Sequence, residues 1–516
     1  MTGLPANPPG SDDGFIRRFV HLAATAPARV FARFEAEVLT FGGLHASASR
    51  IAGLLHERGV RRGDRVAVML ENSPDAVALL LALAMSGAVW VPLNVQLRAD
   101  GLRYIVDHAE PRALVAREDF LLRVRGCGAR LDGIAIIADT AVAAAVRGEA
   151  AAPPTPLPAP EDLFAIGYTS GTTGAPKGVQ MTHRMMRLAG EGALLVSAAR
   201  DGDVFHMWEP LYHIGGSQMM IVPMLRDVVL HMVPRFSASR FWDDVRAAGA
   251  THIHFLGGIL QILLKQPPSP GDRQHRVRVA WGGGCPPDVW RAVQDRFGVA
   301  VRECYGMTEA SSFSTYNDSG LVGSIGRPVP WLDVAVRDTD GRMLPPDARG
   351  EIVVRGRDPR ALTPGYFRNP EATARALRDG ALHTGDLGSR DAAGNFFFHG
   401  RITDSVRVRG ENVSAWEVEH VAAQHPSVED CAMIGVAAEI GEQDIKLFVV
   451  PKPGCTVDLP ALSRWLGERL APYQNPRYLA VVDAFERTPS QRIMKHRLPA
   501  GRHDCFDRVG AGQPAN

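Results

Sequence analysis

The sequence is short of several features that would commit it to a large functional class. It holds six cysteines in 516 residues, Cys127, Cys285, Cys304, Cys431, Cys455 and Cys505. They lie far apart with no C-x-x-C pair, which suits neither a disulfide framework nor a zinc site. Reduced thiols and a cytoplasmic location are the expectation. An excess of either charge is also missing: 57 basic side chains stand against 56 acidic ones. No global field recruits nucleic acid or an anionic membrane surface, so any anion must be held by a local constellation. The opening stretch MTGLPANPPGSDDGF has neither a basic start nor an apolar run, and no signal peptide is expected. The longest apolar run, AVALLLALAMSGAVWVPL from Ala76 to Leu93, reaches the length of a membrane span. Ser86-Gly87 interrupts it, and it reads as a buried helix followed by a strand, with no membrane partner.

What the chain does have is length and apolar content, with 46% hydrophobic residues, enough for two or more cores. Short β-branched runs such as RVAVML (Arg65 to Leu70) and VWVPL alternate with helical stretches such as SRIAGLLHERG (Ser49 to Gly59). That is the rhythm of β-α units around a mostly parallel sheet. The Pro-rich AAPPTPLPAP (Ala151 to Pro160) reads as a connector between subdomains. After FFFHGRITD (Phe396 to Asp404) the pattern shifts to a smaller unit, in which VEHVAAQHPSVEDCAMIGV reads as helix then strand and LPALSRWLGERLAPYQNP as an amphipathic helix stopped by proline. The expected fold is α/β: a large N-terminal domain of layered β-α subdomains over residues 1–401 and a small mobile α+β C-terminal domain over 402–516.

One segment stands out chemically. Tyr168 to Gly178 reads YTSGTTGAPKG, small residues around one lysine. Such a loop leaves its backbone N–H groups bare and can close on an anion as a nest of donors, phosphate being the obvious candidate. It is not the P-loop of nucleotide triphosphatases, because Pro176 precedes Lys177 and Gly178 follows it. A flexible surface turn is the plain alternative.

The string resembles the phosphate-binding signature of the adenylate-forming superfamily, which includes acyl-CoA synthetases, peptide-synthetase adenylation domains and luciferases. Further motifs follow in that superfamily's order: PLYHIGG (Pro210 to Gly216), WGGGCPP (Trp281 to Pro287), ECYGMTE (Glu303 to Glu309), GSIGRPVP (Gly323 to Pro330), TPGYFRNPEAT (Thr363 to Thr373), LHTGDLG (Leu382 to Gly388), GRITDSVRVRGENVS (Gly400 to Ser414) and RTPSQRIMKHRL (Arg487 to Leu498). The loop after Arg407 is similar to that of crotonobetaine/carnitine-CoA ligases. The resemblance implies an acyl-CoA synthetase-like fold and ATP-dependent activation of a carboxylic acid as acyl-AMP, with pyrophosphate released and the acyl group passed to CoA.

The resemblance also implies roles. Thr169, Ser170, Gly171, Thr172, Thr173, Gly174 and Lys177 hold the β,γ-phosphates. Glu309 binds Mg²⁺, a hard cation suited to one carboxylate plus phosphate oxygens and water, beside Thr308. Gly282, Gly283, Gly284 and Cys285, with Cys304, Tyr305, Gly306 and Met307, border adenine and the acyl group. Asp386 takes the ribose hydroxyls, with Phe398 and Arg401 beside the nucleotide. His213 forms a wall between acyl group and nucleotide, and Tyr212, Gly257 and Gly258 complete the acyl pocket. Asp404 is the hinge about which the C-terminal domain rotates for thiol attack. Arg407, Arg409, Gly410 and Glu411 face the CoA tunnel.

Two departures matter. Where the superfamily has a lysine bridging carboxylate and α-phosphate, Arg492 stands here, and a planar guanidinium is not equivalent to a compact ammonium; Lys495 is another candidate, and a third reading is that this substrate needs no such bridge. The aspartate that holds an amino-acid substrate's ammonium is absent from Pro-Leu-Tyr-His, so an α-amino acid is not the expected substrate. Trp208 and Glu209 either form a box for a cationic acid or pack as a core tryptophan with a turn-capping glutamate. Some relatives in secondary metabolism pass the activated acid to an amine or a carrier protein, or activate nitrite to diazotise an aryl amine, and that acceptor class stays open, as does a homo-oligomer.

Overall fold

The computed structural model describes residues 14–97, 99–149, 156–169, 176–256, 258–402, 405–408, 411–438, 443–470, 472, 474–487 and 493–510. The described residues pack as two units. The first takes those within 1–171, 175–334 and 354–382, and the second those within 335–353 and 383–516.

Two β-sheets organise the first unit. In one, strands run in the order Ala135–Ala138, Ala113–Ala116, Arg65–Met69, Val89–Pro92, Leu163–Thr169 and Lys177–Thr182, all parallel except the last. The other is nine-stranded, and its centre is a parallel series: Ala300–Tyr305, Val279–Gly283, His252–Leu256, Val204–Met207, Val229–Met232 and Val30–Phe34. Helices cover these sheets, so the strands are buried on both faces and read as near-continuous apolar runs.

The 76–93 run folds as the sequence suggests. Ser73 caps a helix over Pro74–Ser86 by accepting the Ala76 N–H, and Gly87 ends it in the left-handed region at φ 68°. Ala76 to Met85 are all buried, and the strand Val89–Pro92 follows. Among the described residues no helix is long and apolar enough to cross a membrane. All six cysteines are free.

In the second unit an antiparallel pair, Val428–Ala437 with Gln443–Pro451, continues into Tyr478–Val481 and Phe506–Asp507. Helices Ala415–Ala422 and Leu459–Gly467 close a core of Val418, Met433, Leu447, Leu462 and Leu466. Lys446 is 2% exposed and satisfies its ammonium on the carbonyls of Pro499 and Gly501 and over the Phe448 ring. The same unit holds the strand pair Ala381–Arg390 with Phe396–Arg401, in which Asp386 stands opposite Arg401.

Candidate active site

Four of the chemically marked segments leave the carboxyl ends of four adjacent parallel strands. Trp208 to His213 follows Val204–Met207, Gly258 follows His252–Leu256, Gly284-Cys285 follows Val279–Gly283, and Gly306 to Glu309 follows Ala300–Tyr305. In an open parallel sheet this edge is where ligands bind, because the turns there are free to diverge while the strands stay fixed.

The strands Leu163–Thr169 and Lys177–Thr182 pair antiparallel on either side of the candidate phosphate loop. Thr169 pairs with Lys177 across its feet, and the Thr169 hydroxyl donates to the Lys177 carbonyl at 3.4 Å. Ser170, Gly171, Thr172, Thr173 and Gly174 lie outside the described residues, as do Gly257, Asp404, Arg409, Gly410 and Arg492. The hairpin reaches toward Glu309 through one strap of chain. The Lys177 ammonium lies 5.1 Å from the centre of the Tyr366 ring, and the Tyr366 hydroxyl donates to Glu309 Oε1 at 2.9 Å. Among the described residues no other hydrogen bond reaches the Glu309 carboxylate, and no cluster of three His, Cys, Asp or Glu side chains is placed to hold a metal. A lone, half-buried carboxylate fits Mg²⁺, which takes most of its shell from phosphate oxygens and water. Thr308 opens the short 3₁₀ turn Thr308–Ala310 that carries Glu309.

The glycines of WGGGC prove to have specific tasks. A Cβ on Gly282 would fall 1.8 Å from the Phe255 carbonyl oxygen, its register partner on the neighbouring strand, so this position is closed to side chains by strand packing. Gly284 turns the chain at φ 86°. The turn is then held by Glu303, a residue with no role in the sequence reading. Its Oε1 accepts the Gly284 N–H at 2.6 Å, and both oxygens face the Cys285 N–H at 3.3 and 3.2 Å. Glu303 is 5% exposed; burial pushes its carboxyl up to about 8 against the pull of those two amides. The Cys304 and Cys285 thiols are raised by burial, with Glu303 adding to both, and Cys304 Sγ donates to the Gly282 carbonyl at 3.0 Å. The signal for Glu303 was a pair of charged residues, Arg302 and Glu303, inside the short strand AVRECY.

A folded-state pKa above the ordinary carboxylate value means stability that is complete at low pH and lost as pH rises through about 8. Glu303→Gln should therefore melt further above the parent as pH goes from 6 to 9. A constant difference in midpoint across that range would show that the Glu303 proton is not linked to folding.

The acyl-side segment is packed tightly. Trp208 donates its indole N–H to the His254 carbonyl at 3.1 Å and meets Phe236 edge-on with centroids 5.4 Å apart. Glu209, 2% exposed, places Oε1 2.6 Å from His254 Nδ1. Asn72 clamps the loop, donating to the Glu209 carbonyl at 2.8 Å and accepting the Leu211 N–H at 2.9 Å. This is the packed arrangement of Trp208, with Glu209 turned to a buried histidine rather than capping a turn. His213, half-buried and 4.9 Å from the Tyr212 ring, precedes the short helix Ile214–Ser217. Burial lowers its pKa, with Glu209 pulling the other way, while Tyr212 is pushed up to about 12 by burial and by Glu71.

In the second unit, Asp386 is 2% exposed and lies 2.8 Å from Arg401 Nε, and its N–H is received by Thr384 Oγ1. Glu351 steadies the preceding turn by accepting the Gly385 N–H at 3.0 Å and facing His383 Nδ1 at 2.7 Å. Phe398 stands opposite Gly388 in the same strand pair. Arg407 and Glu411 lie on the hairpin Ser405–Val408 with Glu411–Ser414. Lys495 is engaged, its ammonium 2.7 Å from Glu419, whose carboxylate also accepts the Met433 N–H at 2.6 Å.

Comparison with known proteins decides the family. The profile of the AMP-binding enzyme family matches residues 19–367, and that of the AMP-binding enzyme C-terminal domain matches residues 417–492. The chain belongs to the AMP-binding enzyme family. Within it the relatives are CoA ligases. The crotonobetaine/carnitine-CoA ligase of Escherichia coli O157:H7 (strain EC4115 / EHEC) is 32% identical over 481 residues, covering 88% of this chain and 92% of the relative. That of Salmonella paratyphi A is 32% identical over 485 residues, with 89% and 92% covered. Among solved structures, ATP-bound MatB from Rhodopseudomonas palustris superposes with a TM-score of 0.85 at 28% identity, covering 94% of this chain and 98% of that one. The O-succinylbenzoate CoA synthetase of Bacillus subtilis in complex with AMP gives 0.83 at 26% identity, with 94% and 98% covered. The mixed α/β architecture of this AMP-binding enzyme is that of the acyl-CoA synthetases.

Proposed function

We propose that the protein activates a small carboxylic acid with ATP and Mg²⁺ as an acyl adenylate, releasing pyrophosphate, and then transfers the acyl group to the thiol of CoA. The observation that carries this reading is the convergence of the Lys177 hairpin and Glu309 through Tyr366, beside strand ends that bear Gly284, Tyr305 and His213. Lys177 holds the β,γ-phosphates. Glu309 would hold Mg²⁺, which supplies charge neutralisation on the phosphates and fixes their orientation. Asp386, already aimed by Arg401, accepts the ribose hydroxyls as a charged acceptor of two short bonds. The acid's carboxylate attacks the α-phosphorus, the bond to the β-phosphate oxygen breaks, and Arg492 steadies the negative charge that both reactants bring. The thiol then displaces AMP from the acyl carbon, and Arg407 and Arg409 meet the phosphates of CoA.

Relatives named for CoA ligation support CoA as the acceptor. A panel of acids, with and without CoA, read as acid-dependent conversion of ATP to AMP, tests the whole scheme. CoA-dependent turnover is expected. AMP formation that ignores CoA but follows an added amine would overturn the second step, and silence toward every acid would overturn the first.

Lys495 is tied to Glu419, which favours Arg492 over Lys495 for the bridging role. Arg492→Ala should slow adenylation at least about tenfold (~1.4 kcal/mol), whereas Lys495→Ala should not. The opposite order in single-turnover acyl-AMP formation would give the role to Lys495.

A further inference from the structure

We infer that Tyr366 is a positioning residue with two faces: its hydroxyl aims the Glu309 carboxylate at the metal, and its ring seats the Lys177 ammonium. The inference rests on the assignment of Glu309 as the Mg²⁺ carboxylate. Neither contact follows from the sequence, since Tyr366 lies 57 residues from Glu309 and far from Lys177 along the chain.

The geometry is over-determined. Tyr366 is 9% exposed, and the segment that carries it is laced to both of the pieces it joins. On the hairpin side, Tyr366 forms an antiparallel bridge with Val179, Phe367 donates its N–H to the Gly178 carbonyl at 2.7 Å, and Gln180 donates to the Gly365 carbonyl at 3.1 Å. On the Glu309 side, the Thr363 N–H donates to the Glu309 carbonyl at 2.8 Å while the Thr363 hydroxyl donates to Gln180 at 2.8 Å. Behind the strap, Asn369 caps the helix Pro370–Ala376, and Thr373 on that helix receives the Tyr366 N–H at 2.9 Å. A tyrosine held this firmly offers a fixed hydroxyl and a fixed ring face.

The chemistry suits both tasks. A hydroxyl that donates to one carboxylate oxygen at 2.9 Å removes rotational freedom from that carboxylate and leaves its other oxygen as the metal's ligand. Outer-shell donors of this kind commonly alter metal affinity or activity by about 10- to 100-fold. The ring, 5.1 Å from the ammonium nitrogen, attracts the charge electrostatically and limits where the flexible lysine stem can carry it.

Two substitutions separate the faces. Tyr366→Phe keeps the ring and deletes the hydroxyl, and Tyr366→Leu deletes both. ATP binding is measured by calorimetry with Mg²⁺ and with the metal chelated. For Tyr366→Phe the affinity in chelator should stay within about twofold of the parent, while the gain produced by Mg²⁺ shrinks at least about fivefold. In Tyr366→Leu the metal-free affinity should fall as well. Combined with Glu309→Gln, Tyr366→Phe should add no further loss to the Mg²⁺ gain, because it acts only through that carboxylate.

A Mg²⁺ gain that is undiminished in Tyr366→Phe overturns the inference. So does an equal loss with and without metal, which marks a merely structural tyrosine. If the parent itself shows no Mg²⁺ gain, or Glu309→Gln retains the whole of it, the failure lies instead with the assignment of Glu309.

Discussion

Glu309→Gln should reduce acid-dependent AMP formation by about a hundredfold or more, roughly 2.7 kcal/mol of transition-state stabilisation. The amide matches the carboxylate in shape, and its oxygen can still accept the Tyr366 hydroxyl that now lies 2.9 Å from Oε1. What it lacks is charge. Mg²⁺ strongly prefers anionic oxygen, and among the described residues no group of three His, Cys, Asp or Glu side chains offers another metal site. The loss should appear in kcat more than in the KM for the acid, and raising Mg²⁺ should recover only part of it. The thermal midpoint should stay close to the parent's, because Glu309 is half-buried with one hydrogen-bond partner that glutamine keeps. Retention of a tenth or more of the parent rate would remove Glu309 from the metal's shell.

The second large effect concerns acid. Three histidines are buried deeply enough that burial holds their pKa far below the ordinary value: His183 at about 4, His206 at about 3 and His252 at about 4. His183 is sealed between Phe15, stacked at 5.0 Å, and Phe164, edge-on at 5.4 Å. His206 faces His231 at 3.1 Å, a second imidazole that also disfavours charge. His252 bonds Ser197 and Thr251, with Asp203 opposing the shift.

The unfolded chain takes up protons near pH 6.5 while the folded one does not until near 4, so stability is full above 6.5 and is lost as pH falls. At pH 5 each contributes a loss of the order of 2 kcal/mol, and together they rival the whole margin of a typical domain. The thermal midpoint should drop steeply between pH 7 and 5, and His183→Leu should make that drop visibly shallower. A slope unchanged in the variant would show that His183 is hydrated or already paired. With Glu303 acting in the opposite sense above neutrality, the stability maximum should lie between about pH 6.5 and 8.

Much of this was readable from the chain alone. The apolar 76–93 run and the β-α rhythm follow from local chemistry, and each is matched by elements at the expected place; the order of the motifs came from the resemblance. The phosphate-loop reading rests on the sequence alone, because residues 170–175 lie outside the described ones. Residues whose importance is made by distant partners were less legible. Tyr366 reaches Glu309, Glu303 holds Gly284, and Asn72 holds a loop 137 residues away; each is an ordinary polar residue until the sheets bring its partner near. Gly282 is a further case. The glycine triplet was expected to border adenine and the acyl group, and its first member also answers to the Phe255 carbonyl. Trp208 and Glu209, adjacent in sequence, both turned to His254, Trp208 to its carbonyl and Glu209 to its ring.

That crowded contact limits how such an enzyme can be retuned. The backbone of the Val279–Gly283 strand is wedged against the next one, so Gly282 admits no side chain. The Trp208–Tyr212 turn is held instead by side chains that can be exchanged: Asn72 on the Glu209 carbonyl and the Leu211 N–H, Trp208 on the His254 carbonyl, and Glu209 against the His254 ring. Under the proposed function, new acid preferences should be written on the side chains of that turn, while Gly282 stays closed to any side chain.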